Sequence, residues 1–201
     1  MVNYRFFGIT TSSIELHEIT LAWFVLSLAF AILFTNQFVF SFAFISAFIF
    51  ASATIGVSFL LHELAHKVVA QRYGCFAEFR AFREMLLISV LFSFTGFVFA
   101  APGAVIISGY VNRIANGKIA SAGPLVNLVL ALFFLVVGLL SGKGILQPLF
   151  HYGTYINALL VIFNLLPFGL FDGAKVFVWD RRMWGTMMFG GVLLLFFSKF
   201  V

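Results

Sequence analysis

The chain alternates long apolar stretches with short polar segments, the pattern of a protein that crosses a membrane several times. A helix needs about 20 apolar residues to cross the hydrocarbon core of a bilayer. The pattern predicts spans at about 21–34, 122–140, 152–166 and 184–197. It also predicts one long helix from Phe38 to Arg72, with a break near Gly56 as the alternative, because no proline or polar cluster divides that stretch.

The stretch from Met85 to Ser108 is apolar but is interrupted at Thr95-Gly96 and again at 101–103. Each half is too short to span a bilayer as a helix. Irregular backbone is tolerated at membrane depth where it is buried in protein or lines water, so we expect a re-entrant segment that could contain a β-hairpin. The fold class is therefore all-α and polytopic, with about five transmembrane helices plus this segment.

Composition supports the membrane assignment and excludes a water-soluble protein. Of the 201 residues, 63% are hydrophobic and 9% are charged, whereas about a quarter of the residues in a soluble domain are charged. We expect residues 1–201 to form a single membrane-embedded domain without a separate soluble domain.

The formal net charge of +5 is best explained by orientation in the membrane, since no basic cluster beyond Arg181-Arg182 favours binding to nucleic acid. We therefore predict a multi-pass protein of the cell membrane with a cytoplasmic N-terminus. If 85–108 is re-entrant, ten of the twelve Lys and Arg residues fall on the cytoplasmic side, the side that Lys and Arg favour. The two on the other side are Lys143 and Lys199.

The sharpest chemical signal is His62-Glu63-x-x-His66. Residues four apart lie on the same face of a helix, so both imidazoles can reach one metal ion. Catalytic zinc sites have three protein ligands and one position for water. Glu63 lies to one side of that face, where a general base would be placed. Ionisable groups inside a membrane are costly and usually functional, which favours one zinc ion per chain over a packing role.

The third ligand must come from elsewhere in the chain. Asp172 is the carboxylate set in an apolar stretch, and Gly173 beside it would let backbone approach closely. The alternative for Asp172 is an N-cap of the helix that starts at Gly173. The other candidate ligands lie near the first span, in surface loops or towards the opposite face: Glu15, His17, Glu18, Glu78, Glu84, His151 and Asp180.

Three motifs together resemble those of the site-2 protease family of intramembrane zinc metalloproteases. They are HELAH at 62–66, Ala-Gly-Pro-x-x-Asn at 122–127, and Asn164-x-x-Pro167-x-x-x-x-Asp172-Gly173. The resemblance implies that His62, His66 and Asp172 bind zinc, that Glu63 is the general base, and that Asn164 lies beside the scissile peptide. It also implies that the re-entrant segment lines the cleft as an edge strand. The resemblance covers about 46–180, the expected core of the domain, and no stretch is long enough for the PDZ domain that many members of the family carry.

The two asparagines have alternative roles. Asn164 could donate to the oxyanion or hydrogen-bond between helices, and Asn127 is expected to be a packing group or to support the site. The predicted function is zinc-dependent hydrolysis of a peptide bond in or near a transmembrane segment of a membrane protein, close to the cytoplasmic face. The alternatives are a metal transporter and a non-catalytic family member that acts as a binding scaffold.

Overall fold

The computed structural model describes residues 3–6, 8–36, 41–98, 102–142 and 144–201. It is mostly helical, as the apolar pattern predicts. The chain divides into two compact units, one formed by residues 1–63 and 76–108 and the other by 64–75 and 109–201. The boundary between Glu63 and Leu64 falls inside a continuous helix.

The first unit combines membrane-length helices with two pairs of short antiparallel strands. The hydroxyl of Ser12 accepts the backbone N–H of Glu15 at 3.2 Å and so caps the start of the first helix. Asn36 ends that helix in the left-handed conformation. The elements are β1 (Asn3–Phe6), β2 (Ile9–Ser12), α1 (Ser13–Thr35), α2 (Phe42–Ala51), the start of α3 (Val57–Arg72), β3 (Phe76–Ala81), α4 (Arg83–Ser93) and β4 (Gly103–Ser108).

A single helix of 31 residues runs from Phe42 to Arg72, and a π-helical turn at Ser52–Gly56 joins α2 to α3. One long helix is thus present, but it begins after Ser41, and the predicted positions 38–40 lie outside the described residues. The indole N–H of Trp23 on α1 donates to the carbonyl of Ser52 at 3.1 Å. At 1.5 Å per residue the whole helix is about 46 Å long, which exceeds an average hydrocarbon core of about 30 Å. One end of it must therefore reach a membrane surface, or the helix must tilt.

The segment 85–108 differs from the predicted hairpin. Its first half belongs to helix α4, and its second half contains β4, which pairs with the preceding strand β3. Residues 99–101 of the segment lie outside the described residues. The prediction went wrong because β3 carries Glu78 and Arg80 and was assigned to a polar surface stretch.

The second unit is a packed set of helices. The carboxamide of Asn112 accepts the N–H of Ala115 at 2.8 Å, so α5 starts at Arg113, well before the span predicted at about 122–140. The elements are the rest of α3, α5 (Arg113–Ser141), α6 (Gln147–Asn164), α7 (Asp172–Trp179), α8 (Arg181–Phe197) and a 3₁₀ turn (Ser198–Phe200).

Among the described residues, four helices are long and apolar enough to cross a membrane, and they indicate a membrane protein. They cover 13–35, 42–72, 113–141 and 181–200. The span predicted at about 152–166 is not confirmed. It lies in α6, which has 18 residues but is less apolar than the other four helices because it carries Gln147, His151 and Asn157.

The core of the second unit has an apolar part and a polar part. Val161, Leu165 and Met187 form an apolar cluster between α6 and α8. Between α5 and α6, the fully buried Asn127 donates from its amide to the amide oxygen of Asn157 at 2.8 Å. This bond lets both helices place a carboxamide in an apolar interior, where an unpartnered amide is costly.

We expect Asn127→Ala to lower the free energy of unfolding by about 1–2 kcal/mol, because it leaves the buried carboxamide of Asn157 without this partner. Unfolding in mixed micelles of a mild detergent and dodecyl sulfate measures the effect. Asn116→Ala is the control, since Asn116 is exposed on the same helix. Equal losses for the two variants would contradict the packing role.

Candidate metal centre

Helix α3 places both motif histidines on one face. His62 and His66 are four residues apart in regular α-helix, and both are buried. The boundary between the two units lies between the two histidines, but α3 is continuous across it. The helix geometry therefore fixes one imidazole relative to the other. Glu63 is also buried and follows His62 directly.

Asp172 is the first residue of α7, and its side chain turns to His66. Its Oδ2 lies 3.0 Å from Nε2 of His66, and its Oδ1 lies 3.7 Å from the ammonium of Lys175. The alternative of an N-cap is wrong, because Phe171 occupies the cap position and no side chain caps the helix. A Cβ on Gly173 would overlap the backbone of Leu165, which is the close approach predicted for this glycine.

The ring of His66 is oriented by a backbone carbonyl. Its Nδ1 lies 2.8 Å from the carbonyl oxygen of Ile119 on α5. A carbonyl can only accept, so this contact assigns the proton to Nδ1 and leaves Nε2 as the nitrogen that can bind a metal. Histidine ligands of metal ions characteristically have such a partner behind the ring.

His62, His66 and Asp172 each offer a ligand atom, and these atoms lie within 4.8 Å of one another. Two imidazoles and one carboxylate are a donor set of catalytic zinc sites, so the residues fit this metal. The remaining ligand candidates have other surroundings. Glu15 and Glu18 bind β3, Glu78 binds Arg80, His151 contacts the carbonyl of Ser198, Asp180 caps α8, and His17 and Glu84 are exposed.

Glu63 meets the backbone of β4. Its Oε2 accepts the N–H of Val105 at 3.2 Å. Val105 pairs with Phe79 across the sheet, and the N–H of Phe79 points away from β4 to Oε1 of Glu15 at 2.9 Å. Both N–H groups of this pair thus point outward, as in a non-hydrogen-bonded antiparallel pair. Glu63 consequently lies at the outer edge of β4.

Known proteins resemble the chain over most of its length. It is 40% identical over 149 residues to "Putative zinc metalloprotease MJ0611" of Methanocaldococcus jannaschii, a match that covers 71% of this chain and 78% of that protein. The chain belongs to this family of zinc metalloproteases. It is also 32% identical over 143 residues to "Putative zinc metalloprotease YwhC" of Bacillus subtilis, covering 61% of this chain and 65% of that protein.

A third family member is longer. The chain is 29% identical over 178 residues to "Zinc metalloprotease MJ0392" of Methanocaldococcus jannaschii, and the match covers 87% of this chain but 45% of that protein. No protein-family model and no solved structure matches the chain. Zinc is the cofactor that the family and the His62, His66 and Asp172 donor set both indicate.

One of the two motif asparagines bonds within its own helix, and the other bonds to a neighbouring helix. The amide of Asn164 donates to the carbonyl of Leu160 one turn earlier in α6, at 2.9 Å, rather than to another helix. Asn127 lies in the buried pair with Asn157. The proposed role of Asn164 at the substrate stays a prediction.

Sequence reasoning missed the support of the sheet by α1. Glu15 and Glu18 accept the outward N–H groups of Phe79 and Ala81, the latter at 3.2 Å, so carboxylates cover the outer edge of β3. The available signal was the pair of acidic residues just before an apolar span, which were interpreted from the sequence only as candidate metal ligands. The contribution of Ile119 left no signal, because it comes from a backbone carbonyl.

We expect Gly173→Ala to weaken zinc binding by about 10- to 100-fold, the range found when the surroundings of a metal ligand change. An added Cβ must displace α7 from the backbone of Leu165 and with it Asp172. Competition with a chromophoric chelator measures the affinity. Gly185→Ala is the matched control, since a Cβ there meets no atom within 4 Å. Equal affinities in both variants would show that this close approach does not position Asp172.

Proposed function

We propose that the protein is an intramembrane zinc endopeptidase of the site-2 protease type. The observation that carries this proposal is the juxtaposition of His62, His66 and Asp172 on and against a helix that is itself a candidate membrane span. The substrate would be a membrane protein cut in or near a transmembrane segment, close to the cytoplasmic face. The N-terminus would be cytoplasmic, and the enzyme would reside in the cell membrane.

Hydrolysis needs a proton carrier beside the metal. When bound, zinc supplies a Lewis acid that polarises the scissile carbonyl and makes water a better nucleophile. The carboxylate of Glu63 takes the proton of the attacking water and passes it to the leaving amide nitrogen. The helix places Glu63 next in sequence to His62 but to one side of the ligand face, which keeps it available for this transfer.

The outer edge of β4 is suited to holding an unwound substrate. In the described part of the chain the sheet has two strands, and the outer edge of β3 is covered by Glu15 and Glu18. A substrate segment can therefore add to β4, which would satisfy backbone groups that lose their helical partners. Since Val105 contacts Glu63 at that edge, a strand added there lies beside the general base.

Replacement of the base provides the direct test. Glu63→Gln keeps the size of the side chain but removes the proton acceptor, so cleavage of a single-span reporter in liposomes should fall by about 10²- to 10⁴-fold. The zinc content should not change, because Glu63 is not in the ligand set. Glu84→Gln, which changes an exposed glutamate on α4, should cleave like wild type.

Equal cleavage by wild type and Glu63→Gln would end the hydrolytic proposal. Zinc flux into proteoliposomes that survives in Glu63→Gln would point instead to a metal transporter. Complementation of a deletion strain by Glu63→Gln would point to a non-catalytic scaffold.

The edge-strand part of the proposal has a separate test at Val105. Proline removes the N–H that contacts Glu63 and obstructs strand addition, while an outward-facing edge position tolerates it. We expect Val105→Pro to lower kcat/KM by about 10- to 100-fold, the cost of losing a hydrogen bond to a charged group. Val105→Ala keeps the N–H and should retain most activity. Similar kcat/KM values for the two variants, with unchanged thermal stability, would exclude this role of β4.

A further inference from the structure

A basic cavity lies in the second unit, where α7 meets α8 beside the start of α5. Its volume is about 660 Å³. Three arginines and one carboxylate face it, so its formal charge is positive. The lining residues are Arg113, Phe177, Val178, Trp179, Asp180, Arg181 and Arg182.

The cavity lies at the level where two membrane-length helices begin. Arg113 is the first residue of α5 and Arg181 is the first residue of α8, and both helices are apolar enough to span. Arginines at the polar start of such a helix lie in or near the headgroup region rather than in the hydrocarbon. Trp179, which lines the cavity, is a residue type enriched at the membrane–water interface.

The guanidinium groups keep donors available for an anion. Arg113 donates from Nη2 to the carbonyl of Val178, and the Arg181 guanidinium lies 5.0 Å from the ring centroid of Phe177. These contacts hold the side chains, but a guanidinium has five N–H donors. In the described part of the chain, none of the three arginines forms an ion pair with a carboxylate.

The carboxylate in the cavity is already engaged. Oδ1 of Asp180 accepts the backbone N–H groups of Arg182 and Met183, at 2.8 and 3.1 Å, and so caps α8. It caps the start of α8, and its single negative charge offsets only one of the three arginines. The cavity is left with an excess of positive charge at the headgroup level.

We propose that this cavity binds the phosphate of an anionic phospholipid. Arginine forks match phosphate oxygens in pairs, and basic pockets between membrane helices bind anionic headgroups. A lipid is favoured over a free phosphate because α8 continues from the cavity with exposed apolar side chains, against which acyl chains can lie. These include Phe189, Val192 and Phe196.

The test uses the purified full-length protein in an uncharged detergent. Native mass spectrometry compares the binding of dioleoylphosphatidylglycerol and dioleoylphosphatidylcholine, and wild type should bind the phosphatidylglycerol selectively. Each lost arginine should weaken that binding about fivefold, and Arg181→Gln with Arg182→Gln together about 25-fold. Arg83→Gln is the matched control, since Arg83 is exposed at the start of α4 in the other unit.

Three outcomes would overturn the proposal. Equal binding of the two lipids by wild type would exclude recognition of charge, and unchanged selectivity in the double variant would exclude this cavity. Displacement of phosphatidylglycerol by millimolar inorganic phosphate would show an anion site without lipid specificity. If the double variant does not fold, Arg182→Lys provides the test, because it keeps the charge but loses the paired donors and should still weaken binding.

Discussion

The contact between His66 and Asp172 is the constraint on which the rest of the site depends. It joins the end of the long membrane helix to the start of α7, and the carbonyl of Ile119 holds the opposite side of the same ring. A buried imidazole and a buried carboxylate are costly without partners. Here the carbonyl of Ile119 accepts from Nδ1 of His66, and the ammonium of Lys175 lies near the carboxylate of Asp172. The contacts of His66 with Asp172 and Ile119 therefore belong to the packing of the second unit as well as to the candidate metal centre.

The same need for partners shapes the first unit. A two-stranded sheet has two edges, and backbone groups at an edge in apolar surroundings must be satisfied. Glu15 and Glu18 cover the edge of β3, while Glu63 meets the edge of β4 at Val105. Carboxylates at both edges thus define where the sheet lies, and the one on the long helix is also the proposed base. Glu63 thus supports the edge of the sheet and is also the residue proposed to transfer the proton.

Much of the site could be predicted because its signals are local or rare. The spacing of His62 and His66 encodes their common face, and Asp172 stands out as a carboxylate in an apolar stretch. The sheet could not be predicted in the same way, because the partner of β4 is a strand with charged residues on the other side of α4. Hydropathy also overestimated α6, in which the polar side chains of Gln147, His151 and Asn157 replace apolar ones.

The π-helical turn at Ser52–Gly56 sets the direction, around the helix axis, in which the candidate ligands His62 and His66 point. A π turn accommodates one residue more than an α turn, and each residue turns a helix by about 100°. The imidazoles of His62 and His66 therefore point where they do only because of that additional residue upstream. Deletion of one residue from this turn would rotate His62 and His66 by about 100° about the helix axis relative to the segment before the turn, although all three candidate ligands would still be present.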